Sequence, residues 1–312
     1  MDVRTGLASL PLDDGPSVVT VGFFDGVHRG HRAVLGRTVD AARERDARSV
    51  AVTFDRHPRE VLTPGNVPRL LTTTQRKSEL IAQTGIDALV VLEFTEELSR
   101  VPAEDFVRDV LAADLHGVHV VVGANFTFGH RAVGTVATLD ELGPAYGFSA
   151  ETVELFELDG RPLSSSSIRA ALAEGDLAWP TRALGRRYAV EGRVVSGAGR
   201  GHGLGYPTAN LETEPRLLLP ADGIYAGRAS DGDGSHAAAI SVGTNPTFGV
   251  EPLHVEAYLL DFEGDLRGRP LSVEFWERLR NEERFHEVSD LVDAIDEDVR
   301  RTRVIVDAEG RD

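Results

Sequence analysis

The chain has 312 residues, 41% hydrophobic and 27% charged, a size and composition that favour a soluble protein of two domains. No cysteine is present, which excludes a disulfide scaffold, a thiolate zinc site and a cysteine nucleophile; with no bilayer-spanning apolar stretch and no export signal, a cytoplasmic location is expected. The net charge of -17 is spread evenly, with 18 basic against 26 acidic residues up to position 184 and 15 against 24 after it, so neither a nucleic acid nor a membrane surface is an expected partner.

Val18 to Phe23 is a β-branched run that ends in a Gly/His turn, and Val34, Leu35, Thr38, Val39 and Ala42 then fall on one helical face. Ser49 to Phe54 is a second strand candidate, Gln75 to Thr84 a helix, Ala88 to Phe94 a strand, Ala103 to Ala113 a helix, and Val118 to Val122 a strand. This alternation predicts a parallel α/β sheet, whose ligands bind at the carboxyl ends of the strands. Arginine replaces lysine almost throughout; the exception, Lys77, reads as codon bias rather than chemistry.

The densest motif, Gly22-Phe23-Phe24-Asp25-Gly26-Val27-His28-Arg29-Gly30-His31, follows the first strand and opens a helix. Its glycines let the backbone approach a ligand, and the helix start offers unpaired N–H groups to phosphate. His28 and His31 can face one phosphate chain and stabilise charge that builds during transfer. The alternatives are a plain turn with two surface histidines, or a metal site, for which no third ligand is evident nearby.

A second cluster, Arg161-Pro162-Leu163-Ser164-Ser165-Ser166-Ser167-Ile168-Arg169, precedes a helix expected from Ala170. The hydroxyls can simply cap that helix; with Arg169 in reach of a phosphate, they can equally form the second jaw of a triphosphate clamp.

Beyond Trp179-Pro180 and Gly185-Arg186-Arg187, which read as a connector, the texture changes. Tyr188 to Val195, Ile224 to Ala229, Ala237 to Val242, His254 to Leu260 and Leu271 to Trp276 are strand candidates separated by Gly, Asp and Pro turns, as in a small antiparallel barrel. A terminal helix follows, with Val288, Leu291, Val292, Ile295 and Val299 on one face. The loop Gly197 to Gly205, with Gly199, Gly201 and Gly205, is a linker or a phosphate loop. Thr208 and Asn210, two residues apart in Pro207-Thr208-Ala209-Asn210, offer oxygen ligands suited to Mg²⁺ on one side of a strand.

Taken together, the Gly-x-Phe-Asp-Gly-x-His-x-Gly-His turn and the later Ser-Ser-x-x-Ile-Arg resemble the prokaryotic bifunctional riboflavin kinase/FMN adenylyltransferase family, also called FAD synthetase. Phe54-Asp55-Arg56-His57-Pro58 and Gly123-Ala124-Asn125-Phe126-Thr127-Phe128-Gly129 fit that family, as do Pro220 to Tyr225, Ser241 to Phe248 and Val255 to Tyr258 in its kinase half. The resemblance implies a Rossmann-like nucleotidyltransferase domain over residues 1–184, then an antiparallel β-barrel kinase domain with a C-terminal helix over 185–312.

It further implies that Gly22, Phe23, His28, His31, Ser164, Ser165 and Arg169 handle ATP, and that Asp55, Asn125, Phe128 and Arg161 meet the flavin. In the kinase half it implies that the glycine loop, Thr208 and Asn210 bind Mg-ATP, that Glu256 is the general base, and that Arg280, Glu283 and Phe285 close over flavin. The expected substrates are riboflavin, FMN and ATP, with Mg²⁺ as cofactor. Two positions depart from the family pattern: Arg56 stands where proline is usual, and Ser166 where threonine is usual. Left open beside a bifunctional enzyme are a chain with one half inactive and a non-catalytic flavin-binding regulator.

Overall fold

The computed structural model describes residues 1–10, 12, 15–154, 156–197, 200–244 and 253–309. By its internal contacts the chain divides into two compact units, Met1–Ser165 and Ser166–Asp312.

The first unit is built on six parallel strands: β1 (Asp2–Thr5), β2 (Ser17–Val21), β3 (Arg48–Phe54), β4 (Ala88–Leu92), β5 (Gly117–Gly123) and β6 (Ser149–Val153), in the order β1-β4-β3-β2-β5-β6. The central strands are mostly apolar and are buried along most of their length because both faces are covered. Val19, Val21, Val50 and Val52 face one layer with Phe106, Val110 and Leu139, while Ala51 and Leu89 face the other with Leu35, Val39, Leu80 and Ile81. From β2 the chain steps one way to β3 and β4 and later returns on the other side of β2 as β5. The strand order therefore reverses between β2 and β5, the position at which open α/β sheets bind their ligands.

Helix α1 (Arg29–Glu44) buries Val34, Leu35, Thr38, Val39 and Ala42, the face its spacing predicts, and α2 (Thr74–Ala82) is capped by the Thr73 hydroxyl. The predicted helix Ala103 to Ala113 is one short α turn that widens into π-helical turns over Phe106–Asp114. Helix α3 (Val136–Tyr146), which contains Pro144, and the short, half-exposed edge strands β1 and β6 were not predicted from the sequence. A two-residue hairpin, β7 (Glu157–Leu158) with β8 (Arg161–Pro162), turns at Asp159-Gly160, both in the left-handed region that such a turn requires.

Two expectations change at the following helices. Helix α4 runs Ser165–Ala173, so Ser165, Ser166 and Ser167 lie inside its first turn, with Ser164 just before it, instead of all preceding a helix from Ala170; hydroxyls can satisfy the free N–H groups there. The expected connector at Trp179-Pro180 is a helix, α5 (Ala178–Leu184). Asp176 accepts from the Ala178 and Trp179 amides, and Pro180 sits in the first turn, where its missing N–H costs nothing.

The second unit holds six strands: β9 (Tyr188–Val195), β10 (Ala209–Thr213), β11 (Gly223–Ser230), β12 (Ser235–Gly243), β13 (His254–Leu259) and β14 (Pro270–Arg280). They close as an antiparallel barrel in the order β10-β13-β12-β11-β14-β9 around Tyr225, Ile240, Val273 and Phe275. The long pair β11–β14 shifts register at Ala226/Gly227, where a Cβ on Gly227 would lie 1.8 Å from the Glu274 carbonyl oxygen. Only glycine permits that approach. Helix α6 (Val288–Glu309) packs on the barrel through Asp298, Thr302 and Val306, whereas Val288 is 63% exposed and Leu291, Val292, Ile295 and Val299 are only partly covered. The buried seam differs from the apolar one because Arg280, at the end of β14, draws Asp298 inward in a bidentate pair of 2.8–3.2 Å.

Candidate active sites

In the first unit, the turn after β2 is wound tightly. Phe24 and Val27 both adopt positive φ, 52° and 39°, an unfavourable region for bulky residues. The buried Asp25 holds it: its carboxylate accepts from Leu71 N at 2.9 and 3.1 Å and from Thr72 N at 3.2 Å, while Gly26 N donates to the Thr72 hydroxyl. The Ser165 hydroxyl also donates to the Asp25 carbonyl at 3.0 Å. The space beside Gly22 is taken by the Phe24 ring, so that glycine serves a close internal approach.

His28 caps α1, its Nδ1 accepting from His31 N at 3.3 Å, and the two rings stack at 3.6 Å. Gly30 makes room, since a Cβ there would sit 3.2 Å from the His28 ring. Because its Nδ1 is an acceptor, neutral His28 carries its proton on Nε2. Burial, then the neighbouring His28 and Lys77, push His31 well below the usual histidine range, and its Nδ1 is buried without a partner.

The flavin-side candidates lie on loops after strand ends. Asp55 Oδ1 accepts from Phe94 N at 2.9 Å and its Oδ2 from Arg56 Nε at 3.0 Å. Burial raises the Asp55 carboxyl, but the Arg56 and Phe94 hydrogen bonds outweigh it and hold it below the ordinary range. The unusual Arg56 is thus an ion-pair partner of Asp55. Asn125, after β5, and Arg161, on the hairpin, are exposed. Phe128 is buried against Phe106; Phe126, stacked on it at 5.5 Å, is the more open ring. Arg169 lies on α4 in the second unit.

In the barrel, Glu256 stands directly across from Asn210 on β10 and from Ser241 on β12. Its carboxylate accepts from the Thr208 hydroxyl at 2.8 Å and lies 3.0 Å from His254 Nε2, two residues along the same face. Thr208 and Asn210 border an open cleft of about 330 Å³ whose walls include Val194, Gly197, Phe262 and Leu266. The Asn210 amide packs directly on Gly197, and Gly201 approaches the Tyr206 carbonyl as no other residue could; Gly205 has φ 91°. Gly199 and residues 245–248 of the Ser241 to Phe248 stretch lie outside the described residues. Arg280, paired with Asp298, also lies 5.6 Å from the Phe285 ring centre.

Among the described residues no group of three His, Asp or Glu side chains could hold a metal. Two neutral oxygens, from Thr208 and Asn210, instead suit an ion that keeps most of its waters and arrives with phosphates, as Mg²⁺ does.

Two families match the chain, FAD synthetase over residues 11–167 and riboflavin kinase over 184–306. A bifunctional riboflavin kinase/FMN adenylyltransferase of Pseudomonas fluorescens is 37% identical over 98% of both chains. The chain belongs to the bifunctional riboflavin kinase/FMN adenylyltransferase family. Relatives of the same description from Escherichia coli K12 and Bacillus subtilis are 34% and 32% identical, over 88% of both chains and over 92% of this chain and 91% of the other. A solved Streptococcus pneumoniae structure described as a macrolide-efflux protein superposes with a TM-score of 0.87 at 28% identity, covering 97% of this chain and 99% of that one. Among the described residues of this family member, no helix is long and apolar enough to cross a membrane.

Sequence reasoning missed Asp25, Lys77, Phe126 and His254. Asp25 was visible within the family turn, but its amide partners lie 46 and 47 residues away. His254 had a signal: its i+2 spacing from Glu256 puts both on one face of a strand.

Proposed function

We propose that this chain phosphorylates riboflavin to FMN in its barrel half and adenylylates FMN to FAD in its parallel-sheet half, with one ATP consumed in each step. The observation that carries this reading is the presence in one chain of both constellations, stacked imidazoles at a helix start after a parallel strand, and a carboxylate bonded to a hydroxyl beside a barrel cleft. The family matches to each half support it.

In the kinase step, the riboflavin 5′-hydroxyl attacks the γ-phosphorus of ATP, and its proton passes to Glu256. The bond from that phosphorus to the β-bridging oxygen breaks, leaving FMN and ADP. His254 and Thr208 hold the carboxylate from its two oxygens, fixing the base where the hydroxyl arrives. Mg²⁺, when bound, offsets charge on the β- and γ-phosphates; Thr208 and Asn210 would hold it. Gly199, Gly201 and Gly205 let the loop backbone close on the phosphates, and Arg280 with Phe285 borders the flavin.

In the transferase step, a phosphate oxygen of FMN attacks the α-phosphorus of a second ATP and pyrophosphate leaves. His31, kept neutral by burial, acts as a hydrogen-bond donor to developing charge, together with His28, Ser164 and Ser165, and Arg169 keeps the ATP-handling role that its motif implies. Gly22 and Phe23 line the ATP side; Asp55, Asn125, Phe128 and Arg161, with Phe126 added, line the flavin side.

We place the functional boundary at 184/185, with the transferase in 1–184 and the kinase in 185–312. The end of α5 at Gly185 and the riboflavin kinase match from residue 184 support it. A cytoplasmic location without nucleic-acid or membrane partners fits the evenly acidic composition. The division of labour is tested by two variants: His31→Ala is expected to stop at FMN, and Glu256→Ala to make no FMN yet convert supplied FMN to FAD. Loss of both activities in either folded variant would refute it.

A further inference from the structure

Lys77 is the only lysine in the chain, and it is buried, 2% exposed, on the inner face of α2. Its ammonium donates to two backbone carbonyls: Phe54 O, at the carboxyl end of β3, at 2.9 Å, and Phe23 O, just past β2, at 3.2 Å. It also lies 4.2 Å from the centre of the Phe23 ring. No carboxylate pairs with it among the described residues. Asp25 and Asp55 act on it from a distance, but the first is engaged by the Leu71 and Thr72 amides and the second by Phe94 N and Arg56. Its charge is felt at His31.

A buried ammonium with carbonyls but no contacting carboxylate is an expensive arrangement, and proteins usually pair such charges. Burial lowers Lys77 to about 8 even though Asp25 and Asp55 oppose the shift. Methionine or leucine would fill the space without that cost. The excess positive charge stands at the carboxyl ends of β2 and β3, behind the turn that receives a polyanion in the adenylyltransferase reading. Tying Phe23 O to Phe54 O also fixes the start of the strained turn that carries His28 and His31.

We propose that Lys77 is a positioning residue of the adenylyltransferase site, joining the ends of β2 and β3 and supplying, behind His31, the fixed positive charge that a bound polyphosphate requires. This rests on the assignment of FMN adenylylation to the first unit. It also replaces codon bias as the account of why one lysine stands among so many arginines.

Because there is one lysine, full-length protein labelled with ¹³Cε-lysine gives a single lysine resonance, whose pH titration reports Lys77 without any substitution. The midpoint is expected near 8 in the free protein. It should rise by about half a unit or more with inorganic pyrophosphate at concentrations that inhibit FAD formation, since an anion that favours the ammonium must raise its affinity for the proton. Affinity for pyrophosphate should fall about threefold or more as pH rises through that midpoint. Lys77→Met is expected to lower kcat/KM for FAD formation at least tenfold, mainly through KM for ATP, with FMN formation from riboflavin retained. A midpoint indifferent to inhibitory pyrophosphate would overturn the proposal while leaving the transferase assignment intact. Absence of FAD formation by the unmodified protein would instead remove the assignment on which it rests.

Discussion

Asp25 lies in the turn that leads to His-x-Gly-His, and its carboxylate accepts from the backbone at Leu71 and Thr72. In Asp25→Ala, the Leu71 and Thr72 amides lose their acceptor inside the protein. A buried amide left unsatisfied costs roughly 1–3 kcal/mol. Two of them, less the relief of no longer burying a carboxylate, come to about 3 kcal/mol. For a unit of this size that is a drop of roughly 6–12 °C in unfolding temperature. Asp25→Asn should fall between, because its amide oxygen can replace one acceptor but its NH₂ faces a donor.

The assay is calorimetry of the full chain combined with product formation after brief heating. FAD formation should disappear at the lowered temperature, while FMN formation survives to the wild-type limit. FAD formation lost at 25 °C with an unchanged unfolding profile would refute the reasoning. It would mean that the carboxylate acts on substrate rather than clasping the turn.

Two further outcomes follow from the barrel. His254→Ala is expected to reduce kcat for FMN formation about tenfold with KM for ATP unchanged, and His254→Gln, which keeps a donor near Glu256, to restore most of it; a change confined to KM would place His254 on the nucleotide instead. Gly227→Ala should prevent the barrel from closing, because its Cβ would lie 1.8 Å from the Glu274 carbonyl oxygen. Expression of a soluble variant with wild-type FMN formation would show that β11 and β14 can part there at little cost.

The parallel-sheet core was legible because β2, β3, β4 and β5 are short runs rich in β-branched and apolar residues that alternate with helical patterns, as strands covered on both faces are. All the barrel strands but β10 were legible as apolar runs separated by turn residues; β10, a short strand after the glycine loop, was not among the candidates. Elements whose burial depends on a distant partner were not. The seam of α6 reads as valine, leucine and isoleucine, but Arg280 selects Asp298 for the interior, an ion pair that no periodicity encodes. Helix α5 was hidden by Pro180, which is disfavoured in a helix interior but tolerated in the first turn it occupies. At the candidate sites, His28 and His31 announced themselves through spacing. Lys77 and Asp25 did not, because their roles come from carbonyls and amides brought to them by the fold.

The most direct measurement of the central claim is a time course of the purified chain with riboflavin, ATP and Mg²⁺, resolving flavins and nucleotides chromatographically. FMN and ADP should appear first, then FAD with pyrophosphate, after a lag set by FMN accumulation. Riboflavin left unphosphorylated would contradict the kinase half, and FMN that accumulates without FAD would contradict the transferase half.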